Sequence, residues 1–477
     1  MPSPLEPDAQ TRSGLAVIVL AAGAGTRMRS KLPKPLHTVA GMPMLEHVLR
    51  AAGALNPQDL VVVASNELAR RLAVDALRLR GDPRIVVQDP PRGTGDAVAV
   101  GLAAVGGASH ALIVYADHPL VTPDDLAALV ADAMSTQALI GLITCSVENA
   151  AGYGRIARDG DGSIVGIVEQ IDDEPSLRAG KTEINSGIQL LNIGWATGAL
   201  PSIVPHITKN EVFLTDLVGI AVRAAGPSAV TSVQGSSKAL EGVNDRADLA
   251  RVDAVIREDL RRQHMLSGVT MIGADSIMID ADVEIGPDTT LLPGTYLQVG
   301  SVVGSGSVIG PNTRIEASSI GADSSVESSV VRSSSIGNGC HVGPFSHIRG
   351  GALIDESVHV GNFVEVKNTR IRAKSRVGHM SYLGDASVGS NTNIGAGTVT
   401  CNFDGQEKHR TEIGSNVFIG SDTMLVAPVT VGDGATTGAG SVVTKNVAMD
   451  TVVVGIPARP IRKRSTSNTR LTTGSEA

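Results

Sequence analysis

Aromatic residues are nearly missing from this chain: Phe, Trp and Tyr together make up 2% of its 477 positions. A core assembled around large rings is therefore excluded, and small aliphatic side chains have to fill the interior. Cysteine is almost as scarce. Cys145, Cys340 and Cys401 are too few and too scattered for a disulfide framework or a zinc site, and free thiols are expected. No apolar run approaches the roughly 18 residues of a membrane span. The opening MPSPLEPDAQTRSG is polar, without the apolar stretch of a secretory signal, and a cytoplasmic protein is expected. Basic excess is lacking too. A formal net charge of -8 argues against nucleic acid or an anionic membrane as partner and leaves small molecules.

Glycine, by contrast, is abundant at 54 residues, and it accompanies a six-residue rhythm. Aliphatic side chains recur at Ile279, Ile285, Leu291, Leu297, Val303, Ile309 and Ile315. After a short irregular stretch they resume at Ile336, Val342, Ile348, Ile354, Val360 and Val366, and again at Ile413, Ile419, Leu425 and Val431, with Thr437 and then Val443 keeping the step. Each unit reads as a short strand, one inward side chain and a tight turn, and three units close a triangular coil. Such a coil cannot bury its apolar residues alone and must stack on its neighbours, so the period predicts a parallel β-helix from about Met271 to Asn446. A smooth prism has no cleft of its own. Catalytic groups are expected where the rhythm breaks, above all in the polar segment Cys401 to Glu412, which reads as a projecting loop.

Between about Leu15 and Arg246, strands of buried type such as LAVIVL and LVVVAS alternate with helical stretches such as MLEHVLRAAGAL, the pattern of an α/β domain with a mostly parallel sheet. Ligands of such sheets bind beyond the carboxyl ends of the strands. Leu249, Val252, Val255, Ile256 and Leu260 then fall at helical spacing between charges. The expected division is a flexible segment 1–13, an α/β domain 14–246, a linker helix 247–267, the β-helix 268–460 and a flexible tail 461–477.

Directly after LAVIVL, which ends at Leu20, come Ala21, Ala22, Gly23, Ala24, Gly25, Thr26, Arg27 and Met28, and then Lys31-Leu32-Pro33-Lys34-Pro35-Leu36. Gly23 and Gly25 let backbone N–H groups approach a phosphate, while Arg27 and Lys34 set charge against a polyanion. This is not a Walker loop, since no Gly-Lys-Ser/Thr follows, nor a GxGxxG, since Arg27 and Met28 stand where that pattern continues. Glycine loop and Pro-Lys-Pro segment together resemble the signature of sugar nucleotidyltransferases, which join a sugar 1-phosphate to a nucleoside triphosphate and release pyrophosphate. The resemblance implies a Rossmann-like nucleotidyltransferase domain. It places the nucleotide along Leu20, Ala21, Ala22 and Gly23, base recognition at Gln88, Gly93 and Thr94, and a metal-binding strand end at Tyr115, Ala116 and Asp117. Further sugar-nucleotide contacts fall at Gly154, Glu169, Asn185 and Asn244. It assigns Mg²⁺ to Asp117 and Asn244, and the sugar to Glu169 and Asn185. The chemistry makes the same demand: a phosphate oxygen attacking the α-phosphorus brings two anions together, so a divalent ion and cations must neutralise the developing charge. Hard oxygen ligands suit Mg²⁺, and Arg27 and Lys34 would hold the triphosphate and the departing pyrophosphate.

Within the β-helix, Arg349, Lys367, His379, Tyr382, Asn393 and Lys408 are polar residues clustered around the rhythm breaks, consistent with a shared pocket for an anion. The strings VGNFVEVK, GHMSYLGD and NIGAGTVTCNFDG resemble the bacterial bifunctional family that pairs a sugar-1-phosphate uridyltransferase with a sugar-phosphate N-acetyltransferase, and the similarity runs from about Leu15 to about Thr444. By that resemblance the prism is a left-handed parallel β-helix in which glucosamine 1-phosphate is acetylated from acetyl-CoA, and the α/β domain converts the product with UTP to UDP-N-acetylglucosamine, a precursor of peptidoglycan. His379 is the implied base, since a group of near-neutral pKa has to take a proton as the amine adds. Arg349, Lys367 and Lys408 then bind the sugar phosphate and Tyr382 and Asn393 orient the sugar, with an oxyanion donor near Ala396 and acetyl-CoA along Ala396, Asn402, Phe403, Ser421 and Ala439. Relatives form this pocket between the parallel prisms of a homotrimer. The chain departs from the family at Ala116, where Gly is usual, at Asp245 and at Phe403. An arginine before the Pro of VVVGIPARPIRKR is also absent, leaving Arg459, Arg462, Lys463 or Arg464 for the CoA phosphates. Two other readings compete: a nucleotidyltransferase whose β-helix only oligomerises, and a non-enzymatic scaffold or sensor.

Overall fold

Leu15–Ala21 is buried at every position, and a strand with no polar face belongs in the middle of a parallel sheet covered on both sides. The computed structural model describes residues 14–74, 79–148, 150, 153–169, 182–206, 211–236 and 241–463, and the chain divides into two units between Ile256 and Arg257.

The main sheet of the first unit contains β1 (Leu15–Ala21), β2 (Asp59–Ala64), β3 (Arg84–Val87), β4 (His110–Tyr115), β5 (Ile140–Val147), β6 (Arg155–Arg158), β7 (Ile164–Val168), β8 (Thr182–Asn192) and β9 (Val230–Gln234). Its order is β9-β5-β8-β4-β1-β2-β3, with β8 antiparallel to both neighbours and the β6–β7 hairpin attached at β8. Val17 and Val19 of β1 enter one apolar core while Ile18 and Leu20 enter another, which is why this strand reads as a continuous hydrophobic run. Helices α1 (Met44–Gly53), α2 (Asn66–Val74), α3 (Thr94–Leu102), α4 (Pro123–Thr136), α5 (Ile193–Ala199) and α6 (Asp216–Ala225) belong to the same unit. The start of α4 is set by a capping box, Thr122 and Asp125 exchanging hydrogen bonds around Pro123. Leu20 pairs with Tyr115, so β1 and β4 end side by side and their following loops emerge together.

Helix α7 (Arg246–Leu266) spans the division, and the second unit continues as a left-handed parallel β-helix. Strands mostly two or three residues long form three sheets of 12, 10 and 9 strands. Ile279, Leu291, Leu297, Val303, Ile309 and Ile315 point inward and are essentially unexposed, while Ile285 is only partly buried. The stretch after Ile315 is not irregular. Ile320, Val326 and Val331 continue the same core to Ile336, and Ile371, Val377, Leu383, Val388 and Ile394 continue it beyond Val366, so some units have five residues instead of six. A second inward layer consists of hydroxyls. Ser307, Ser324 and Ser375 donate to the carbonyls of Gly321, Gly337 and Gly389 at 3.0, 3.0 and 2.7 Å, satisfying polar groups inside a narrow core.

Each coil donates backbone N–H groups to the carbonyls of the next, as from Met278 to Thr295 and Asp280 to Leu297. The carbonyls of the first coil have no earlier coil to receive from. Buried Arg257 donates to Ile279 O at 2.9 Å and pairs with Asp280 at 2.9 Å, and Arg261 reaches Ile277 O at 3.3 Å. At the other end Arg459–Lys463 turns back antiparallel on Thr451–Val454. Ile461–Lys463 are thus a strand, a correction to the flexible tail expected from 461. Segments 1–13 and 464–477, Arg464 included, lie outside the described residues. Among the described residues no helix is long and apolar enough to cross a membrane.

Candidate functional site

A cavity of about 510 Å³ opens where β1 and β4 end. Its wall takes in Leu20 through Arg27, Lys34, Gln88, Gly93, Thr94, Tyr115, Ala116, Asp117 and Asn244. Gly25 turns the loop at φ +58°, and a Cβ there would sit 2.7 Å from Lys34 Cβ, so only glycine lets the loop close on the Lys34 segment. Lys34 Nζ donates to Asp117 Oδ2, and Arg27 Nη2 donates to Asn244 Oδ1 at 2.8 Å. Val243 N–H donates to Asp117 O at 2.9 Å, which brings Asn244 beside Asp117. One carboxylate and one amide oxygen therefore share a wall, each already held by a cation. Asn244 is itself fixed by Asp248, which accepts from its N–H at 2.9 Å. Burial opposes the charge on Asp248, but the Asn244 N–H and the Arg251 guanidinium outweigh it and hold that carboxyl below its usual range.

Elsewhere on the cavity wall Gln88 Nε2 donates to Gly93 O at 3.1 Å and to Asp96 Oδ2 at 2.7 Å. Gly93, at φ +106°, has Val212 O 2.5 Å from where a Cβ would stand, so a larger residue is barred twice over. Tyr115 is driven up by burial and then by the charges of Asp117 and Glu169, so it stays neutral. Its ring stacks on His118 at 5.5 Å. Gly154, Glu169 and Asn185 form an adjoining cluster rather than part of the cavity wall. Asn185 N–H donates to Gly154 O at 2.9 Å, and Glu169 Oε1 accepts from Thr215 at 2.7 Å. Among the described residues no group of three or more His, Cys, Asp or Glu could cage a metal. The Asp117–Asn244 oxygen pair fits an ion that keeps waters and substrate phosphates as its remaining ligands, as Mg²⁺ does.

On the prism, Arg349 and Lys367 are in register on neighbouring strands, and Lys367 is opposite Gly384. Arg349 donates to Glu365 at 2.7 Å, and Glu365 is opposite Tyr382. Exposed Lys408 arrives from the loop beside Lys367, and the proximity of the two lysines, with Asp385 next to Lys367, raises Lys367 and lowers Lys408. His379 is exposed, at the end of Arg376–His379, and its Nδ1 is hydrogen-bonded to Asn362 Oδ1. Asn393, opposite Arg376, shares the sheet of the strand that ends in His379 and not that of Arg349, Lys367 and Tyr382. The fold thus groups Arg349, Lys367, Tyr382 and Lys408 on one face, His379 at a corner, and Asn393 on the next face. Contrary to expectation, all but Lys408 lie in regular coils, because outward positions of the repeat are free to carry any side chain.

Backbone bonds stack that corner into a column: Met380 N–H to Asn362 O, Gly397 to His379, Asp422 to Ala396 and Gly440 to Ser421, at 3.0, 3.4, 2.6 and 2.8 Å. Ala396, Ser421 and Ala439 therefore follow His379 up one edge. Phe403 is 59% exposed at the start of the loop, whereas Asn402 is buried and ties its amide to Asp385 at 2.5 Å. Sequence reasoning missed Asn362, Asp96, Thr215 and Asp385. Asn362 was findable, since it sits in VGNFVEVK one coil before His379.

The chain matches the MobA-like NTP transferase domain over residues 17–153, the GMPPB C-terminal domain over 273–371 and the bacterial transferase hexapeptide (six repeats) over 410–445. It is 39% identical over 454 residues to a protein of Streptococcus agalactiae serotype III (strain NEM316), an alignment covering 94% of this chain and 97% of the relative. A protein of Trichlorobacter lovleyi is 41% identical over 445 residues, covering 92% and 95%, and one of Streptococcus suis (strain 98HAH33) is 40% identical over 439, covering 92% and 94%. All three relatives bear the name Bifunctional protein GlmU.

Proposed function

This chain belongs to the family of Bifunctional protein GlmU, and from that premise we propose how its residues divide the chemistry. It is a bifunctional transferase of UDP-N-acetylglucosamine synthesis for the cell envelope, acetylating glucosamine 1-phosphate in the second unit and uridylylating N-acetylglucosamine 1-phosphate in the first. The assignment of UTP, acetyl-CoA and Mg²⁺ to named residues, the homotrimer and the cytoplasmic location are our reading.

In uridyl transfer the backbone at Leu20 to Gly25 cradles the triphosphate. Gln88 commits its Nε2 to Asp96 and Gly93 O, leaving Oε1 to accept from the N3–H of uracil and to reject cytosine, which presents an acceptor there. When bound by Asp117 and Asn244, Mg²⁺ supplies a positive centre for the charge that develops on the α-phosphate. Arg27 and Lys34, already within reach of the same wall, hold the pyrophosphate as the sugar phosphate oxygen displaces it. Glu169 and Asn185 receive the sugar, Thr215 orienting Glu169.

In acetyl transfer His379 Nδ1–H donates to Asn362, so Nε2 carries the free lone pair. The amine nitrogen attacks the thioester carbonyl, Nε2 takes its proton, and the CoA thiolate leaves. A backbone N–H near Ala396 steadies the oxyanion. Arg349, Lys367 and Lys408 grip the sugar phosphate, Tyr382 and Asn393 orient the ring, and Asn402, Phe403, Ser421 and Ala439 carry acetyl-CoA. Arg459, Arg462 and Lys463, around a cavity of about 670 Å³ at the prism's end, meet the CoA phosphates. Residues on two faces and a corner of one prism cannot enclose a small ligand without further copies, which supports a cyclic trimer.

The observation that carries the reading is the meeting of Asp117, Asn244, Arg27 and Lys34 on one cavity wall. Incubation with glucosamine 1-phosphate, acetyl-CoA, UTP and Mg²⁺ should release free thiol and pyrophosphate together. Pyrophosphate released from UTP with N-acetylglucosamine 1-phosphate as acceptor, but no thiol from glucosamine 1-phosphate and acetyl-CoA, would mark the prism as non-catalytic.

A further inference from the structure

Every residue assigned above to the sugar phosphate is a cation, and two of them, Lys367 and Lys408, stand close enough to perturb one another although like charges repel. Lys408 moreover comes from a loop whose residues from Phe403 to Lys408 are exposed. Something must draw that loop onto the prism. Asp385 makes all the connections required. Its side chain is 13% exposed and accepts from Lys367 Nζ at 3.3 Å, Asn368 Nδ2 at 2.6 Å and Asn402 Nδ2 at 2.5 Å. Asn402 begins the loop. Thr411, at its far end, donates its N–H to the main-chain carbonyl of Asp385 at 3.3 Å, and His409 N–H closes back on Asn402 O at 2.8 Å. Asp385 N–H in turn donates to Lys367 O at 3.0 Å. One residue therefore holds both ends of the loop and one of the two lysines.

We propose that Asp385 is the positioning residue of the acetyl-transfer site, holding Lys367 and the Lys408 loop at the spacing of a two-cation clamp for the phosphate of glucosamine 1-phosphate. This rests on the reading of Arg349, Lys367 and Lys408 as the phosphate site. Asp385 touches no substrate; it offsets repulsion that would otherwise spread the clamp, and its charge is sustained against burial by Asn368, Asn402 and Lys367. The groups facing the lysine pair are Asp385, Tyr382 and Arg349. Phosphate binding needs both lysines cationic, so on the alkaline side it fades as pH rises through the lowered value of Lys408. Removing the Asp385 charge lowers that value further.

The test compares Asp385→Asn and Asp385→Glu in the full chain. Asp385→Asn should raise KM for glucosamine 1-phosphate by about tenfold or more, lower kcat much less, and move the alkaline limb of kcat/KM to lower pH. Asp385→Glu keeps the charge and should restore that limb. Uridyl transfer and the thermal transition, both near parent values, exclude general misfolding. Identical behaviour of the two variants, an unmoved limb, or a collapse of kcat together with the fold would overturn the proposal. Lys408→Ala is the control: if it leaves KM unchanged, the phosphate site itself is misassigned, whereas a raised KM there beside a silent Asp385→Asn sinks only the role of Asp385.

Discussion

The two units place charged side chains in opposite ways. In the first, loops leaving β1 and β4 curl over the ends of a buried sheet, and Arg27, Lys34, Asp117 and Asn244 converge in a concavity within one chain. In the second, a rigid stack presents Arg349, Lys367, Tyr382 and His379 outward from positions the core does not use. Convergence comes from loop conformation in the one and from register between coils in the other. A substitution in the first unit should therefore act through loop geometry, and in the second through a column of neighbours.

The sharpest way to break this comparison is His379→Ala. Acetyl transfer should fall about 10² to 10⁴-fold, the usual contribution of a general base, while uridyl transfer stays within about twofold; survival of acetyl transfer would remove the assigned base. Asp117→Asn is the converse, expected to cut uridyl transfer by about 10²-fold or more, the few kcal/mol of a bound ion, with acetyl transfer intact. Leu383→Ala, beneath the Lys367 face and fully buried, should destabilise the second unit by about 2–5 kcal/mol, read as a lowered denaturant midpoint with uridyl transfer spared. Gly93→Ala has a smaller expected cost, about 1–3 kcal/mol of strain, appearing as weaker UTP binding; an unchanged KM for UTP would show that the Val212 contact relaxes freely.

Much of the first unit was legible because its site is built from contiguous loops: the glycines, Arg27, Lys34 and the end of β4 sit next to strands that announce themselves by apolar runs. What stayed hidden were partners from elsewhere in the chain, such as Asp96 on Gln88 and Thr215 on Glu169, contacts with no local signature. In the prism the aliphatic beat was plain, yet the five-residue units after Ile315 broke the count while leaving the stack intact. The hydroxyl layer escaped because a search for apolar residues passes over serine. Asn362 and Asp385 illustrate the same point for function: each meets its partner one coil away, and sequence distance becomes informative only once the coil length is known.

The loop between Asn402 and Arg410 adds residues to a single coil, yet Asp422 still donates to Ala396 as its counterparts do elsewhere along that edge. Length inserted at a corner is invisible to the layers above and below it. Evolution can consequently lengthen, shorten or recharge this excursion to suit a different acceptor without retuning the scaffold, much as one stair of a spiral can be widened into a balcony while the steps above keep their height.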